Sequence, residues 1–259
     1  MEGLALVTGA GNGIGRAISH RFVKDGARVL AVDIDDAALA ALAGELGDRV
    51  VTAHCDVTDE ASLEAVAATA QSLGGLTAAV ANAGRGTWSP VVDHTLDEWR
   101  AVLDLCLTGT FLTVKHAARV MHDGGSIVTI ASLNAIQPAE GMSAYCAAKA
   151  GVAMFTKVAA MELGHRRIRV NGIAPGLVQT QLTGGFFSIP GMVEEFVENT
   201  AVGRFAQPED IADAAAFLAG PESTFVSGTL MSVDGGAHTK RYPDLPRAFA
   251  RMLEQQPHT

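Results

Sequence analysis

The stretch LALVTGAGNGIG, from Leu4 to Gly15, decides the fold of this 259-residue chain. Its first residues, Leu4–Val7, form a short apolar run that is typical of a strand buried on both faces. A glycine cluster follows, and a helical pattern then continues through Phe22. A buried strand that turns at once into a helix is the first half of a β-α-β unit, and it predicts a parallel sheet.

The glycine cluster predicts a phosphate-binding turn. The strict pattern G-x-G-x-x-G is not met, because Ile14 stands where its third glycine would fall, but Gly9, Gly13 and Gly15 are present. Glycines permit a tight turn from strand to helix, and the free N–H groups at the helix start can bind a pyrophosphate. An ordinary βα turn without a ligand is the alternative.

The alternation of strand and helix continues along the chain. It predicts one α/β domain, residues 1–236, with a doubly wound parallel sheet, helices on both faces and a ligand crevice beyond the strand ends. A tail, residues 237–259, follows and is either frayed or in contact with a neighbouring subunit. Further predicted strands lie at Arg28–Asp33, Val50–His54, Thr77–Val80, Ser126–Ile130, Arg169–Ile173 and Thr229–Val233. Predicted helices lie at Ala37–Leu46, Glu60–Leu73, Leu96–Met121, Ser143–Leu163, Val193–Asn199 and Pro208–Leu218, with a partly helical stretch at Leu245–Glu254.

An acidic residue, Asp33, ends the second predicted strand, about 20 residues beyond the glycines. A carboxylate there can accept both ribose hydroxyls of an adenosine and would repel a 2′-phosphate. Asn12, in the turn, offers that phosphate no positive charge. Both features favour NAD over NADP. Asp33 could instead cap the next helix, although Asp35 or Asp36 could also do so.

Other strand ends carry residues suited to a ligand. Asp56 follows the third strand and is equally consistent with a contact to the adenine amino group and with a turn residue. Asn82, Ala83 and Gly84 follow the fourth strand, where small residues let the backbone approach a ligand. Pro175 and Gly176 follow the sixth strand.

Tyr145 and Lys149 are four residues apart in a predicted helix, which places both side chains on one face. A free tyrosine has a pKa of about 10. One ammonium about 5 Å away stabilises the ionised phenol by roughly 3 kcal/mol, at an effective dielectric constant near 20, and so lowers this pKa. An oxidised nicotinamide ring is a second positive charge. The pair therefore predicts an activated phenol beside a cofactor.

Charge and cysteine content exclude several classes of protein. Lys and Arg number 19 against 28 Asp and Glu, a net charge of −9 without any basic run, so nucleic acid and anionic membranes are not expected partners. Cys55, Cys106 and Cys146 form no CxxC motif, which is typical of reduced thiols in the cytoplasm. No signal peptide and no membrane-spanning run is recognised, and we expect no metal centre.

Together these motifs resemble the short-chain dehydrogenase/reductase family over about residues 4–236. The resemblance implies a Rossmann-type sheet of about seven strands, a homotetramer or homodimer, and hydride exchange between a nicotinamide and an alcohol or ketone. The motifs that carry it are TGAGNGIG, Asp33, Asn82 to Gly84, Ser132, Tyr145 with Lys149, Asn171, Pro175 with Gly176, Thr180 and the closing VDGG.

The resemblance also implies roles for single residues. Tyr145 would be the general acid/base, Lys149 would hold the nicotinamide ribose and lower the tyrosine pKa, and Ser132 would hydrogen-bond the substrate oxygen. With the residues of the glycine turn and the strand ends, the predicted cofactor-binding set is Gly9, Asn12, Gly13, Ile14, Gly15, Asp33, Asp56, Val57, Asn82, Ala83, Gly84, Tyr145, Lys149, Pro175, Gly176, Val178 and Thr180.

One position departs from the family pattern. Cys106 stands where the family usually has an asparagine that anchors a water between the active-site lysine and solvent. A thiol is a weak donor and acceptor. Backbone and water could carry the proton at a modest loss of rate, or the activity could be altered or lost. Asn134 could instead orient substrate or water.

These features predict an NAD-dependent alcohol dehydrogenase or ketoreductase that acts on an apolar or cyclic secondary alcohol. An NAD-binding sensor or scaffold with weak catalysis, and the same chemistry with NADP, are the alternatives. Residues 181–207 are apolar between glycines and could form a lid over the substrate or a surface helix. The predicted substrate residues are Asn134, Met142, Leu177, Phe186 and Phe187, with Trp88 adding apolar surface and Arg85 and Gln137 polarity.

The helix that carries Tyr145 is apolar or small-sided on nearly all faces. A helix that is apolar all round must be covered on both sides. The sheet covers one side, and a partner subunit related by a twofold axis is the simplest cover for the other.

Overall fold

The computed structural model describes residues 2–246 and Ala250 of the chain. Its strands form one seven-stranded parallel sheet with helices on both faces, in the order β3-β2-β1-β4-β5-β6-β7. This confirms the predicted fold class. The strands are Leu4–Thr8 (β1), Arg28–Asp33 (β2), Val50–His54 (β3), Leu76–Ala81 (β4), Met121–Ile130 (β5), Arg169–Pro175 (β6) and Leu230–Val233 (β7).

The helices connect the parallel strands. None of them, in the part of the chain that the structure describes, is long and apolar enough to cross a bilayer. They are Gly13–Lys24 (α1), Asp36–Leu46 (α2), Glu60–Ser72 (α3), Leu96–Leu103 (α4), Gly109–Val120 (α5), Ser143–Leu163 (α6), Gly184–Phe187 (α7), Met192–Glu198 (α8) and Pro208–Ala219 (α9).

One predicted helix is interrupted. The stretch Leu96–Met121 was expected to be a single helix, but a π-helical turn, Asp104–Thr108, separates α4 from α5. The Thr110 hydroxyl, in the first turn of α5, donates to the carbonyl oxygen of Cys106, which lies within the π-helical turn, at 2.7 Å. The spacing of apolar residues does not predict a π-helical turn, because the segments before and after the extra residue each keep a helical pattern.

Strand β1 organises the core because its alternate residues face opposite layers. Ala5 and Val7 pack with α1, α2 and α9 on one face, while Leu4 and Leu6 pack with α3 and α5 on the other. All four side chains are buried. A strand buried on both faces is the environment that the continuous apolar run predicted.

Successive strands are added on one side of β1 up to β3 and on its other side from β4 to β7, so the strand order changes direction between the neighbours β1 and β4. A doubly wound sheet opens a crevice at this point, beyond the carboxyl ends of its strands. The Asn82 side chain closes the bottom of the crevice, donating to the carbonyl oxygens of Thr8 at 3.0 Å and Gly9 at 3.1 Å. The fold thus brings the ends of β1 and β4 together as one wall.

The segment after β6 and the tail both pack beside this crevice. Met192 and Phe196 of α8 are buried in a small cluster with Leu245 of the tail. The Gln137 side chain donates to the Lys240 carbonyl oxygen at 2.6 Å, so the tail up to residue 246 lies against its own chain. The predicted helical stretch Leu245–Glu254 falls mostly outside the described residues.

Candidate active site

The start of α1 is arranged to bind an anion. Gly13 has a φ of 52°, a left-handed conformation that glycine adopts without strain. Asn12 precedes the helix but makes no side-chain capping bond, and the first turn holds no acidic residue. By contrast, side chains of Asp35, Asp59 and Thr95 cap α2, α3 and α4. The first N–H groups of α1 are therefore available to a phosphate group, so the turn fits a pyrophosphate.

Gly15 lies behind this turn rather than among the residues that line the crevice, which differs from the predicted contact. A side-chain carbon at this position would collide with the Gly9 carbonyl. Glycine is needed here so that the helix can pack against the end of β1. The sequence pattern identifies the turn but does not say which of its glycines faces the ligand.

Asp33 is held at the edge of the crevice by backbone donors. Its two carboxylate oxygens accept N–H groups of Gly11, at 2.9 Å, and Asp35, at 3.1 Å. It does not cap α2, since Asp35 performs that role by accepting the Ala38 N–H at 3.0 Å. A carboxylate has about four acceptor sites, so two remain for ribose hydroxyls.

Asp56 is a turn residue, and its place at the cleft remains consistent with a contact to an adenine amino group. One of its carboxylate oxygens accepts the side-chain hydroxyl of Thr58 at 2.7 Å and the N–H of the same residue at 2.9 Å, as in a turn. These hydrogen bonds from Thr58 lower the pKa of the Asp56 carboxyl. The residue also lines the crevice beside Val57 and Cys55. A turn residue can therefore also present a carboxylate oxygen to a ligand.

The structure brings Ser132, Tyr145 and Lys149 together. Lys149 is buried on α6 and its Nζ donates to the Ile130 carbonyl oxygen, at the end of β5, at 2.7 Å. The same nitrogen lies 5.6 Å from the centre of the Tyr145 ring. The Ser132 hydroxyl hydrogen-bonds the Tyr145 phenol. This arrangement presents a hydroxyl and a phenol side by side, with a cation behind the phenol ring.

Burial is the largest influence of the protein on the pKa of the Tyr145 phenol. Burial raises the pKa of Tyr145 above its ordinary value, and the Ser132 hydrogen bond offsets this only in part. Burial also lowers the pKa of the Lys149 ammonium. The reason is that removing a charged group from water costs free energy, whichever sign the charge has. Helical spacing says nothing about this cost, because burial depends on the surrounding elements.

Cys106 occupies a fully buried position next to this group. Its thiol donates to the Arg85 carbonyl oxygen at 3.2 Å. A side-chain carbon at Gly84 would lie 3.4 Å from both the Cys106 sulfur and the Lys149 Nζ, so the two groups flank this glycine. The single thiol proton is committed to Arg85, which leaves only the weakly accepting sulfur on the lysine side.

A long cleft of about 580 Å³ joins these features, from Asp33 at one end to Lys149 at the other. Every predicted cofactor-binding residue except Gly15 lines it. Its length, its anion-binding helix start and its acidic end fit a dinucleotide. The cleft is also lined by residues that no motif in the sequence indicates: Ala131, Leu105, Ile34, Cys55 and Ile130.

A second cavity, of about 190 Å³, lies beside the cleft. Four of the predicted substrate residues line it, together with Trp88. Phe187 does not, since its ring packs against Phe205 at 5.0 Å between centres. Gln137 faces the tail, and Arg85 lines the cleft instead. The four are Asn134, Met142, Leu177 and Phe186.

Tyr242, in the tail, also lines this cavity and was not predicted. Its hydroxyl donates to the Asn134 side-chain oxygen at 3.3 Å, and its ring packs edge-on against Phe196, 6.0 Å away. Burial raises the pKa of Tyr242 to about 12. The only sequence signal was an aromatic residue in an otherwise polar tail, which does not say where the tail lies.

Among the described residues, Glu60, Glu64 and His116 approach closely enough to share a cation. The Lys115 ammonium pairs with Glu60 through the oxygen that also faces the His116 ring. That ammonium already supplies a positive charge to the cluster. The group lies on α3 and α5, away from the residues that line the cleft.

Comparison with known proteins decides the family. Residues 9–238 match the sequence model of a family described as enoyl-(acyl carrier protein) reductase. D-threitol dehydrogenase of Mycolicibacterium smegmatis is 39% identical over 241 residues, which cover 90% of this chain and 92% of that protein. The chain belongs to the short-chain dehydrogenase/reductase family. This confirms the resemblance found in the sequence.

Two further members of the short-chain dehydrogenase/reductase family are similar to this chain over most of its length. The 3-alpha-(or 20-beta)-hydroxysteroid dehydrogenase of Mycobacterium tuberculosis is 37% identical over 236 residues, which cover 90% of this chain and 88% of that protein. A solved short-chain type dehydrogenase/reductase from Mycobacterium ulcerans has a TM-score of 0.91 and 33% identity, covering 98% of this chain and 94% of that one. Dehydrogenases of this family use nicotinamide cofactors, the class of group that the cleft fits.

Proposed function

We propose that the protein is an NAD-dependent dehydrogenase or reductase that transfers a hydride between NAD(H) and a secondary alcohol or ketone. The observation that carries this proposal is that Ser132 and Tyr145 line both the long cleft and the smaller cavity. A substrate in the cavity and a dinucleotide in the cleft would therefore meet at these two side chains. Related dehydrogenases that act on D-threitol and on hydroxysteroids, as their names state, support alcohol chemistry.

In this proposal Tyr145 is the general acid/base. Its phenol and the Ser132 hydroxyl hold the substrate oxygen between them, and Tyr145 takes the hydroxyl proton during oxidation or returns it during reduction. The nicotinamide, when bound, exchanges the hydride and, in its oxidised form, carries a positive charge. The apolar walls of the cavity exclude water from the reacting atoms.

Lys149 positions and polarises this pair. One of its three N–H groups is used on the Ile130 carbonyl oxygen, which leaves two for ribose hydroxyls. Its charge stabilises the ionised form of the neighbouring phenol and so lowers the phenol pKa. The stabilisation is roughly 3 kcal/mol for a unit charge about 5 Å away at an effective dielectric constant near 20. That contribution opposes the raised pKa that burial imposes on Tyr145.

The preference for NAD rests on the surroundings of Asp33. Its carboxylate lies at the adenosine end of the cleft and would repel a 2′-phosphate. Arg16, in the first turn of α1, pairs with Glu45 and donates to the Gly11 carbonyl oxygen at 3.2 Å. Its charge is thus already paired and does not offset Asp33.

The cavity size limits the substrate. Drug-sized ligands usually occupy about 300 to 1,000 Å³. The cavity of about 190 Å³ lies below that range. With its apolar lining, it suits a small apolar or cyclic alcohol better than an extended molecule.

The proposal is tested with purified protein and a panel of small secondary alcohols, using NAD⁺ and NADP⁺ side by side. We expect NADH fluorescence to grow with at least one alcohol, and kcat/KM to be higher with NAD⁺. Measurable NAD⁺ binding without turnover of any alcohol or ketone would favour a sensor or scaffold instead. A higher kcat/KM with NADP⁺ would contradict the cofactor assignment alone.

A homo-oligomer is proposed from apolar side chains exposed on α5 and α6. Phe111, Met154, Val158 and Met161 are exposed, Met161 to 83%. Four exposed apolar side chains on two neighbouring helices exceed the scattered exposure expected of a monomer surface. A second copy related by a twofold axis would pack the same helices against them, giving a dimer or, with a further interface, a tetramer.

The cytoplasm is the proposed compartment. Cys55, Cys106 and Cys146 are all free thiols. Thiols that persist unpaired are typical of reducing compartments. Fractionation of cells that produce the protein would test this.

A further inference from the structure

The smaller cavity has an uncharged lining, which favours neutral molecules. Among the described residues, none of those lining it carries a formal charge. A carboxylate or ammonium placed there would lose its water shell without a counter-charge, which costs several kcal/mol. Apart from Ser132 and Tyr145, the polar side chains in the lining are Thr87, Trp88, Asn134, Thr183 and Tyr242.

Most of these polar side chains are already engaged or can only donate. The Thr183 hydroxyl donates to the Val178 carbonyl oxygen at 2.6 Å. The Thr87 hydroxyl is buried and makes no hydrogen bond among the described residues, so it can donate or accept, whereas the Trp88 indole can only donate. Tyr242 differs from Thr87 because its hydroxyl has a defined partner, Asn134.

The amide of Asn134 has a defined orientation. Its nitrogen donates to the Gln137 carbonyl oxygen at 3.2 Å, and a carbonyl can only accept. The amide oxygen therefore faces the other way, where it accepts from the Tyr242 hydroxyl at 3.3 Å and lies 3.5 Å from the Ser132 hydroxyl oxygen. One oxygen thus joins the catalytic serine to the tail tyrosine.

This orientation fixes the role of the Tyr242 hydroxyl. Its only proton goes to Asn134, and the raised pKa keeps that proton in place at neutral pH. The phenol oxygen is left with lone pairs that can only accept a hydrogen bond. It would bind a substrate group that donates, such as a hydroxyl, and would not bind an ether or ketone oxygen.

We propose that Tyr242 is a specificity-determining residue that accepts a hydrogen bond from a second hydroxyl of the substrate, so that the preferred substrates are small, neutral diols. The two hydroxyls sit on adjacent or nearly adjacent carbons, because Asn134 bridges Ser132 and Tyr242 through one atom. This inference rests on the proposed function, since it takes Ser132 and Tyr145 as the groups that hold the reacting hydroxyl.

Three alcohols of similar shape test the inference: cyclohexane-1,2-diol, 2-methoxycyclohexanol and cyclohexanol. The methoxy compound keeps the second oxygen but cannot donate. We expect kcat/KM with NAD⁺ to be about fivefold to tenfold higher for the diol than for the methoxy compound, as for one hydrogen bond. In Tyr242→Phe, which keeps the ring against Phe196, this ratio should fall to about one.

Thr239→Val is the matched control, because it removes an exposed tail hydroxyl that bonds the Gly236 carbonyl oxygen outside the cavity. It should retain the wild-type ratio. Equal kcat/KM values for diol and methoxy compound in the wild type would overturn the inference. So would a Tyr242→Phe enzyme that discriminates as strongly as the wild type.

A binding measurement separates this inference from the proposed function. Calorimetry of cyclohexane-1,2-diol with the NADH-loaded protein should show weaker binding to Tyr242→Phe than to the wild type, by about fivefold. If none of the three alcohols is oxidised but this difference is found, the proposed function fails and the Tyr242 contact stands. Equal diol binding by both proteins would overturn the contact, whatever the turnover.

Discussion

The Nζ of Lys149 lies 2.7 Å from the carbonyl oxygen of Ile130, which ties the buried lysine of α6 to the end of β5. Ser132 follows two residues after Ile130. The strand end therefore sets the position of both the lysine and the serine relative to Tyr145. A buried ammonium held by a single carbonyl keeps two donors for other partners.

Replacing this lysine tests its electrostatic role. Lys149→Met keeps the volume of the side chain and removes its charge, so the pKa of Tyr145 should rise further and kcat/KM for alcohol oxidation should fall about a hundredfold or more. Lys157→Met is the control, because Lys157 is exposed on the same helix. A Lys149→Met enzyme with wild-type kcat/KM would show that the lysine is not required.

Cofactor binding should release a proton. Burial raises the pKa of Tyr145, and the positive charge of NAD⁺ favours its ionised form, so the phenol gives up a proton when NAD⁺ binds. By linkage, NAD⁺ affinity should increase with pH, while NADH affinity should change much less. Calorimetry in buffers of different ionisation enthalpy measures the proton count. If Tyr145→Phe releases the same number of protons on binding NAD⁺, the proton comes from another group. The same measurement on Lys149→Met tests whether the lysine is its source.

Two neighbouring aspartates should have separable effects. Asp33→Ala removes the cleft carboxylate, so KM for NAD⁺ should rise about tenfold to a hundredfold, as for lost hydrogen bonds to a charged group, and KM for NADP⁺ should fall. Asp35→Ala removes the α2 cap instead and should cost about 1 kcal/mol of unfolding free energy without changing the cofactor preference. Steady-state kinetics and denaturant unfolding of both variants check this. Equal cofactor effects would contradict the separation.

Cys106 can be tested by restoring the residue usual in the family. We expect Cys106→Asn to raise turnover modestly and to change its dependence on pH, because an amide both donates and accepts whereas the thiol proton is used on Arg85. Cys106→Ser, which keeps a donor for Arg85, is the conservative control. An unchanged pH profile in Cys106→Asn would rule out a special role for this position.

The exposed apolar face of α6 should control assembly. Met154→Glu combined with Met161→Glu places two charges on that face and should shift the protein to a smaller species in light scattering. Val92→Glu, which places a charge on an exposed apolar residue outside α5 and α6, should leave the assembly intact. A double variant with the wild-type mass would place the interface elsewhere.

Much of the fold follows from local patterns. The apolar runs are strands and the glycine cluster is a strand-to-helix turn, because buried parallel strands and tight turns impose their residue types directly. The predicted strands agree with the structure, and the greatest difference is the start of β5 at Met121 rather than Ser126. The spacing of Tyr145 and Lys149 likewise required only that they share a helix.

Other features depend on contacts between distant parts of the chain. Only packing shows that Asp33 faces the cleft while Asp35 caps α2, and that Phe186 reaches the cavity while Phe187 packs on Phe205. Neighbouring residues of one type look equivalent in sequence, and their side-chain directions are set by what surrounds them.

The sequence by itself determined the sheet, the glycine-rich turn from strand to helix and the residues that end the strands. Tertiary structure alone decided that Tyr242 reaches the cavity, that the Cys106 thiol donates to the Arg85 carbonyl oxygen, and that burial raises the pKa of Tyr145. The physical reason is the separation along the chain over which each kind of interaction acts. Strand and turn preferences act between residues a few positions apart, whereas burial and long-range hydrogen bonds exist only once the tail, the helices and the strand ends have come together.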